Sequence, residues 1–384
     1  MADQTVQSKF IAVGGGEIQL GITRKPITSW GGLAVFAAFY GLGRWALGLL
    51  PPAPQGYTLD LDSTVLERFG EQEGVLPGYN PRRHGRPTHH PLLAGLAEAK
   101  WILHGWLRSG NVATANNVRA FMDECLALLA GLGTIHLVRA DNGFFDGKFL
   151  DYLEGKDLPY LVKARMTKQV KLAVLGVSDW GRVGKGIEVG ESSIKLLGWS
   201  RERRLVVIRQ EIATKETKAL GKKLFECQGY RFQAIVTSKD REELDATAAY
   251  RTYNGRAEFE NRIKELKVGC GLEGFCMDSF LATECVLRTL CLVHNLVQHF
   301  QDRIGLRPAA APKGDGKRHM LETLRHTLFC CAAILGRSGR SRVLRLSSTD
   351  AWLITFHAAL VRLLAFPSNC KAGPDEGPRI ALMA

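Results

Sequence analysis

Four side chains late in the chain are spaced to hold a phosphate and a metal ion side by side. Tyr253, Arg256, Glu260 and Lys267 follow the pattern Y-x2-R-x3-E-x6-K. At about 100° per residue on a helix, Arg256, Glu260 and Lys267 fall beside Tyr253 within an arc of about 60°, and Lys264 lies next to it. A phenol, a guanidinium, a carboxylate and two ammonium groups then share one face. The carboxylate can ligate a cation while the cationic groups grip a phosphate next to it. The plainer alternative is an exposed charged face with Glu–Lys pairs four residues apart.

Two further acids are placed to join Glu260. Asp62 lies in Tyr57–Thr64, whose apolar–polar alternation predicts a strand, and Asp60 shares its face by the period of two. Asp141 follows a second predicted strand, Thr134–Ala140, at its carboxyl end, where open α/β sheets place their ligands. Three carboxylates from two strands and a helix form an oxygen-only donor set. That set suits Mg²⁺ or Mn²⁺ over zinc, and it has room for two ions.

The elements that must position these residues read as an α/β protein. Helical spacing runs over Asn116–Leu132 and Phe149–Leu158, and Pro159–Ala164 predicts another strand. From Val177 the texture turns to short β-rich runs at Ser193–Leu197, Arg204–Arg209 and Tyr230–Thr237. Asp240–Leu266 reads as helix with a break at Asn254-Gly255, and Asp278–Phe300 as a long apolar helix expected to be buried. Five segments follow: a short lead-in over 1–56, a first core part over 57–176, a β-rich insertion over 177–238, a second core part over 239–305, and a linker with a helix–strand–helix region over 306–384.

Charge narrows the partner. The 384 residues carry 51 Lys+Arg against 38 Asp+Glu, a formal net charge of +13. The surplus is concentrated in Leu161–Phe225, with fifteen basic against six acidic residues, and in Arg303–Arg345, with ten against two. Two basic tracts flanking a mildly acidic body suit a polyanion such as DNA. Nine cysteines without a CxxC pair exclude a disulfide scaffold and a zinc ribbon, and point to reduced thiols in the cytoplasm. The longest apolar run, Trp30–Leu50, contains Arg44 and five glycines, a poor membrane span, so no membrane partner is expected. His84, His89 and His90 with Arg82, Arg83 and Arg86 read as a phosphate-contacting basic loop, lacking the partner cysteines of a zinc site. Gly181 to Gly186 lacks the GK[ST] of a phosphate loop and reads as a turn.

The Tyr253–Lys267 spacing resembles the signature of the DDE transposases of bacterial insertion sequences. Leu59-Asp60-Leu61-Asp62-Ser63-Thr64 is similar to that family's first-Asp strand, and Arg139-Ala140-Asp141-Asn142-Gly143-Phe144 to its second-Asp motif. Gly78-Tyr79-Asn80-Pro81 and His89-His90-Pro91-Leu92-Leu93 are similar to further motifs, so the resemblance spans roughly 57–365. It implies an RNase H-like core with a β-rich insertion between the second Asp and the catalytic Glu; 118 residues separate Asp141 from Glu260. It further implies catalysis by Asp62, Asp141 and Glu260 with two Mg²⁺ or Mn²⁺ ions. Asp60 competes with Asp62 for the first place, and the Ser-Thr that follows favours Asp62. Tyr253, Arg256, Lys267 and Lys264 would contact DNA, and Trp199 or Phe232 could stack a displaced base. The implied activity is cut-and-paste transposition by nicking, hairpin formation and strand transfer. Its partners would be duplex DNA (terminal inverted repeats and target) and a second copy of the chain in a homodimeric synaptic complex, in the cytoplasm at the nucleoid. The few residues before the first strand keep alive the alternative of a catalytically silent or truncated DNA-binding remnant.

Overall fold

The computed structural model describes residues 9–13, 16–20, 41–78, 80, 83–212, 225–275, 277–305, 319–330, 333–339, 341–346, 352–364 and 379–382. A ten-stranded mixed sheet organises the chain. Its first three strands are β1 (Tyr57–Ser63), β2 (Leu92–Leu96) and β3 (Trp101–Trp106). β4 (Ile135–Ala140) and β5 (Tyr160–Lys163) follow. The remaining strands are β6 (Gly181–Gly184), β7 (Ile187–Ile194), β8 (Arg203–Glu211), β9 (Phe225–Cys227) and β10 (Tyr230–Thr237). They lie in the order β6-β7-β8-β10-β5-β4-β1-β2-β3, with β9 on β10. β1, β4 and β5 are mutually parallel, and every other pairing is antiparallel.

Helices cover both faces. On one side lie α1 (Val118–Leu129), α2 (Gly147–Gly155) and α3 (Lys168–Leu175). Phe121, Met122, Phe149, Leu153 and Val170 meet Leu59, Leu61, Val138 and Val162 there in the largest core cluster. On the other side lie α4 (Ala246–Asn254), α5 (Ala257–Lys264) and α6 (Phe280–Arg303). These build two smaller cores, Tyr253 and Ala249 on Leu137, Leu161 and Val206, and Phe259, Ile263 and Leu287 on Leu93 and Ile102. Residues 59 and 61 point to the first face by strand alternation, so Asp60 and Asp62 point to the second, into the seam between its two cores.

Several expectations change. The predicted run Ser193–Leu197 falls mostly beyond its strand, which is Ile187–Ile194 and pairs along its whole length with β8. Gly181–Gly184 is a strand, not a turn. The helix predicted over Asp240–Leu266 divides into α4 and α5, yet Gly255 and Arg256 between them keep right-handed helical dihedrals. A Cβ at Gly255 would lie 2.5 Å from Nη1 of Arg139, so glycine there admits the arginine.

α6 is long and apolar enough to cross a membrane, the one such helix among the described residues. Its buried face is mixed instead of uniformly apolar: Phe280, Leu287 and Cys291 are buried beside Glu284, His294, Asn295, Gln298 and Gln301, and Val293 is exposed. The reason is that α6 closes an open sheet edge. Asn295 accepts from Ile102 N at 2.8 Å and donates to Ile102 O at 2.7 Å, satisfying the free backbone of edge strand β3.

The helix carrying Glu260 is seated by its neighbour Phe259. A Cβ on Gly95 of β2 would stand 2.2 Å from that buried ring. Gly95→Ala is expected to cost about 1–3 kcal/mol by overpacking, read as a lower urea midpoint.

Candidate active site

β1 and β4 run parallel with Asp60 opposite Arg139 and Leu61 opposite Ala140. The next residues, Asp62 and Asp141, therefore leave adjacent strands at the same end. The two β1 aspartates have different fates. Asp60 is buried and holds Arg139 in a two-point ion pair, Nε at 2.6 Å and Nη2 at 2.7 Å. Arg139 also donates to Thr252 O at 2.6 Å, clamping the end of α4 onto β4. Burial raises the Asp60 carboxyl, against the opposing pull of Arg139. Its oxygens are committed to a structural pair, which leaves Asp62 as the β1 carboxylate of the site.

Asp62 accepts Ser63 N at 2.8 Å and meets Nη2 of Arg256 at 2.9 Å. Nη1 of the same guanidinium reaches Oε1 of Glu260 at 2.8 Å. One fork thus joins the strand carboxylate to the helix carboxylate, and Glu260 pairs back to Arg256 in place of the Glu–Lys alternative. Burial pushes Asp62 up to about 7, opposed by Arg256 and reinforced by the charges of Asp141 and Glu260. Arg256 is pushed up: burial opposes its charge, but Asp62, Tyr253, Asp141 and Glu260 outweigh it. Two of the acids, Asp62 and Glu260, thus meet at one buried guanidinium.

Asp141 caps the short turn Asn142–Phe144 by accepting Gly143 N at 2.9 Å. Tyr253 is buried, its hydroxyl 3.4 Å from Ala140 O, and burial raises its phenol. Lys267 sits in a π-helical turn, Glu265–Gly269, and donates to Val65 O at 3.0 Å and to Glu273 at 2.7 Å. Tyr253, Arg256, Glu260 and Lys267 do face the ends of β1 and β4 together, because the helical backbone persists through Gly255. Lys264 is solvent-exposed.

Other residues are placed differently from the sequence reading. His89 and His90 are buried, so they are not part of an exposed phosphate-binding loop. His90 Nδ1 lies 3.0 Å from Val112 O and Nε2 3.1 Å from Ser63 Oγ. Burial and Arg108 lower its pKa to about 4, so it is neutral at pH 7. Nδ1 then carries the proton for the carbonyl, and Nε2 accepts from Ser63, whose oxygen lies 3.2 Å from Thr114 Oγ1. This chain braces the residue after Asp62; Thr114 and Arg108 carried no sequence signal, since only the fold brings them near. Trp199 packs on Phe145, under the Arg203 guanidinium 4.8 Å away and against Gly147, and Phe232 is buried. Of the two rings named for base stacking, Phe232 is buried, while Trp199 packs on one side and stays partly exposed. Cys276 lies outside the described residues, as do Tyr79 and Pro81 of the Gly78–Pro81 motif, Arg82, Cys331 and Cys370.

A cleft of about 930 Å³ opens beside the acids, lined by Ser63, Thr114, Asp141, Arg165, Lys267 and Arg83 among others. Among the described residues, no three His, Cys, Asp or Glu side chains converge as a ready cation cage. The donor chemistry nevertheless fits a hard cation: the set is anionic and oxygen-only, and Asp62 and Glu260 already hold one cationic group between them.

Parallel β1 and β4 carry Asp62 and Asp141 at the same end of a mixed α/β sheet, with Arg256 joining Asp62 to the helix-borne Glu260. The chain belongs to the family described as Transposase DDE domain group 1, whose pattern matches residues 49–368. No curated protein matches it. Among solved structures, the cryo-EM structure of a piggyBac transposase synaptic complex with hairpin DNA is similar at 15% identity and a TM-score of 0.37. The match covers 64% of this chain and 46% of that one, so the chain spans under half of that protein's length.

The two aspartates are separable by stability. Asp60→Asn is expected to cost about 3–5 kcal/mol by leaving buried Arg139 without its counterion, read by chemical unfolding. Asp62 titrates in the fold above its unfolded value, so its contribution to stability is complete below about pH 4 and is lost as pH rises through 7. Asp62→Asn is therefore expected to stabilise the metal-free protein at pH 8, by about 1–3 kcal/mol, and to change little at pH 5.

Proposed function

We propose that the chain is a DNA transposase of an insertion sequence, acting by cut-and-paste through phosphodiester hydrolysis, hairpin formation and strand transfer. The observation that carries this reading is the placement of Asp62 and Asp141 on adjacent parallel strands, with Arg256 tying Asp62 to Glu260. The strand order β3-β2-β1-β4-β5, with β1, β4 and β5 parallel, supports an RNase H-like core. The strands from β6 to β10, between Asp141 and Glu260, are its β-rich insertion, and the domain limits follow those read from the sequence.

Asp62, Asp141 and Glu260 would hold two Mg²⁺ or Mn²⁺ ions. When bound, such ions supply charge neutralisation at the phosphate and activation of the attacking oxygen. The residues of the chain do the rest. With such ions held, Asp62 and Glu260 would no longer need Arg256 as their counter-charge, and its guanidinium would be available to a phosphate oxygen in the same seam. Lys267 and Arg165 hold the strand along the cleft, and Tyr253 fixes the face of α4 against β4 so that Arg256 and Glu260 keep their reach. His90, neutral, holds Ser63 and thereby the backbone amide that orients Asp62. Partners of this activity are duplex DNA, as terminal inverted repeats and target, and a second copy of the chain in a homodimeric synapse.

The test is cleavage of duplex DNA carrying the sequences that border the gene, with Mn²⁺. Nicking is expected, to fall at least 100-fold in Glu260→Ala and Asp141→Ala, and to stop with EDTA. Nicking that survives Glu260→Ala overturns the assignment. Nicking without joining to a target duplex indicates a nuclease, and DNA binding with no cleavage indicates the silent remnant.

A further inference from the structure

An aromatic side chain to which the sequence reading gave no role stands at the cleft. Phe69, in the loop after β1, is 70% exposed, more than any other phenylalanine or tryptophan among the described residues. It lines the same cleft as Asp141 and Lys267. The ring thus stands in water on the polar rim of the cleft. The Arg86 guanidinium already lies over the ring, 5.3 Å from its centroid. Arg83 is on the same rim with most of its side chain exposed, and Arg165 lines the far wall beside Asn142. Of the carboxylates that share the cleft, Glu67 is paired with Arg83 and Glu273 with Lys267, and Asp141 lines it as well, so Arg86 and Arg165 carry the cationic character near the ring.

We propose that Phe69 and Arg86 form a stacking platform for an unpaired base of the DNA strand lying in the cleft. The occupant is a nucleotide because two features coincide. A flat apolar face is what a base offers, and the cationic rim is what its phosphates require. A base still paired in a duplex presents no free face, so the platform selects single-stranded or opened DNA. Arg86 supplies a second planar cation for the opposite side of the base or for its phosphate. The inference rests on the DNA reading above and deepens it: the site takes melted rather than fully paired DNA at this position.

The test uses the full chain and two probes, a 20-nucleotide oligo(dT) and a 20-base-pair duplex, with binding measured at fixed salt. Phe69→Ala is expected to weaken oligo(dT) binding about tenfold and to leave duplex binding within about twofold. Phe69→Trp should bind like wild type, and its added indole should lose fluorescence on oligo(dT) titration. Equal losses on both probes, or no loss on either, overturn the platform while leaving DNA binding intact. A Phe69→Ala chain that changes its sedimentation but not its oligo(dT) affinity assigns the ring to contact between copies, which also overturns it. Wild type that binds neither probe sinks the DNA reading and the platform with it.

Discussion

Two negative charges one pleat apart are carried into the interior on β1, and two arginines make that arrangement tolerable. A buried carboxylate without a partner would cost several kcal/mol or take up a proton. Arg139 answers Asp60 and Arg256 answers Asp62. Because Arg139 also grips the end of α4, and Arg256 begins α5, the same ion pairs that neutralise the strand dock the two helices. The geometry of the acids depends on this seam.

The two pairs are not equivalent. The Asp60 pair is closed on all sides and works as a rivet between β1, β4 and α4. The Asp62 pair shares its guanidinium with Glu260, whose side chain is largely exposed, and is poised between charge states by burial and neighbouring acids. A rivet next to a movable pair is a workable way to build a charged site: one fixes the strands, and the other remains free to change partners. The hydrophobic cores on either side, Tyr253 on Leu161 and Phe259 on Leu93, keep the seam from spreading.

The far sides of the molecule serve the same end. α6 uses polar residues to close the edge of β3, which keeps that edge from pairing with another chain. Glu265, in the turn that carries Lys267, accepts Leu321 N at 2.7 Å and so ties the later part of the chain to the site helix.

The motif residues and their order were legible in the sequence alone. Tyr253, Arg256, Glu260 and Lys267 announce themselves by helical spacing, and Asp62 and Asp141 by strand alternation and a turn signal. Local periodicity is enough for these, since it depends on residues a few positions apart. What one pattern could not decide was which of two aspartates on the same face is closed in a structural pair, because that is settled by Arg139, 79 positions from Asp60 in the chain. Nor could it show that His89 and His90 are interior or that the apolar α6 buries polar residues beside its apolar ones. It could not show that Trp199 is engaged while Phe69 stands exposed. Each of these depends on contacts between distant segments, where burial and charge compensation are fixed only once the sheet has brought them together.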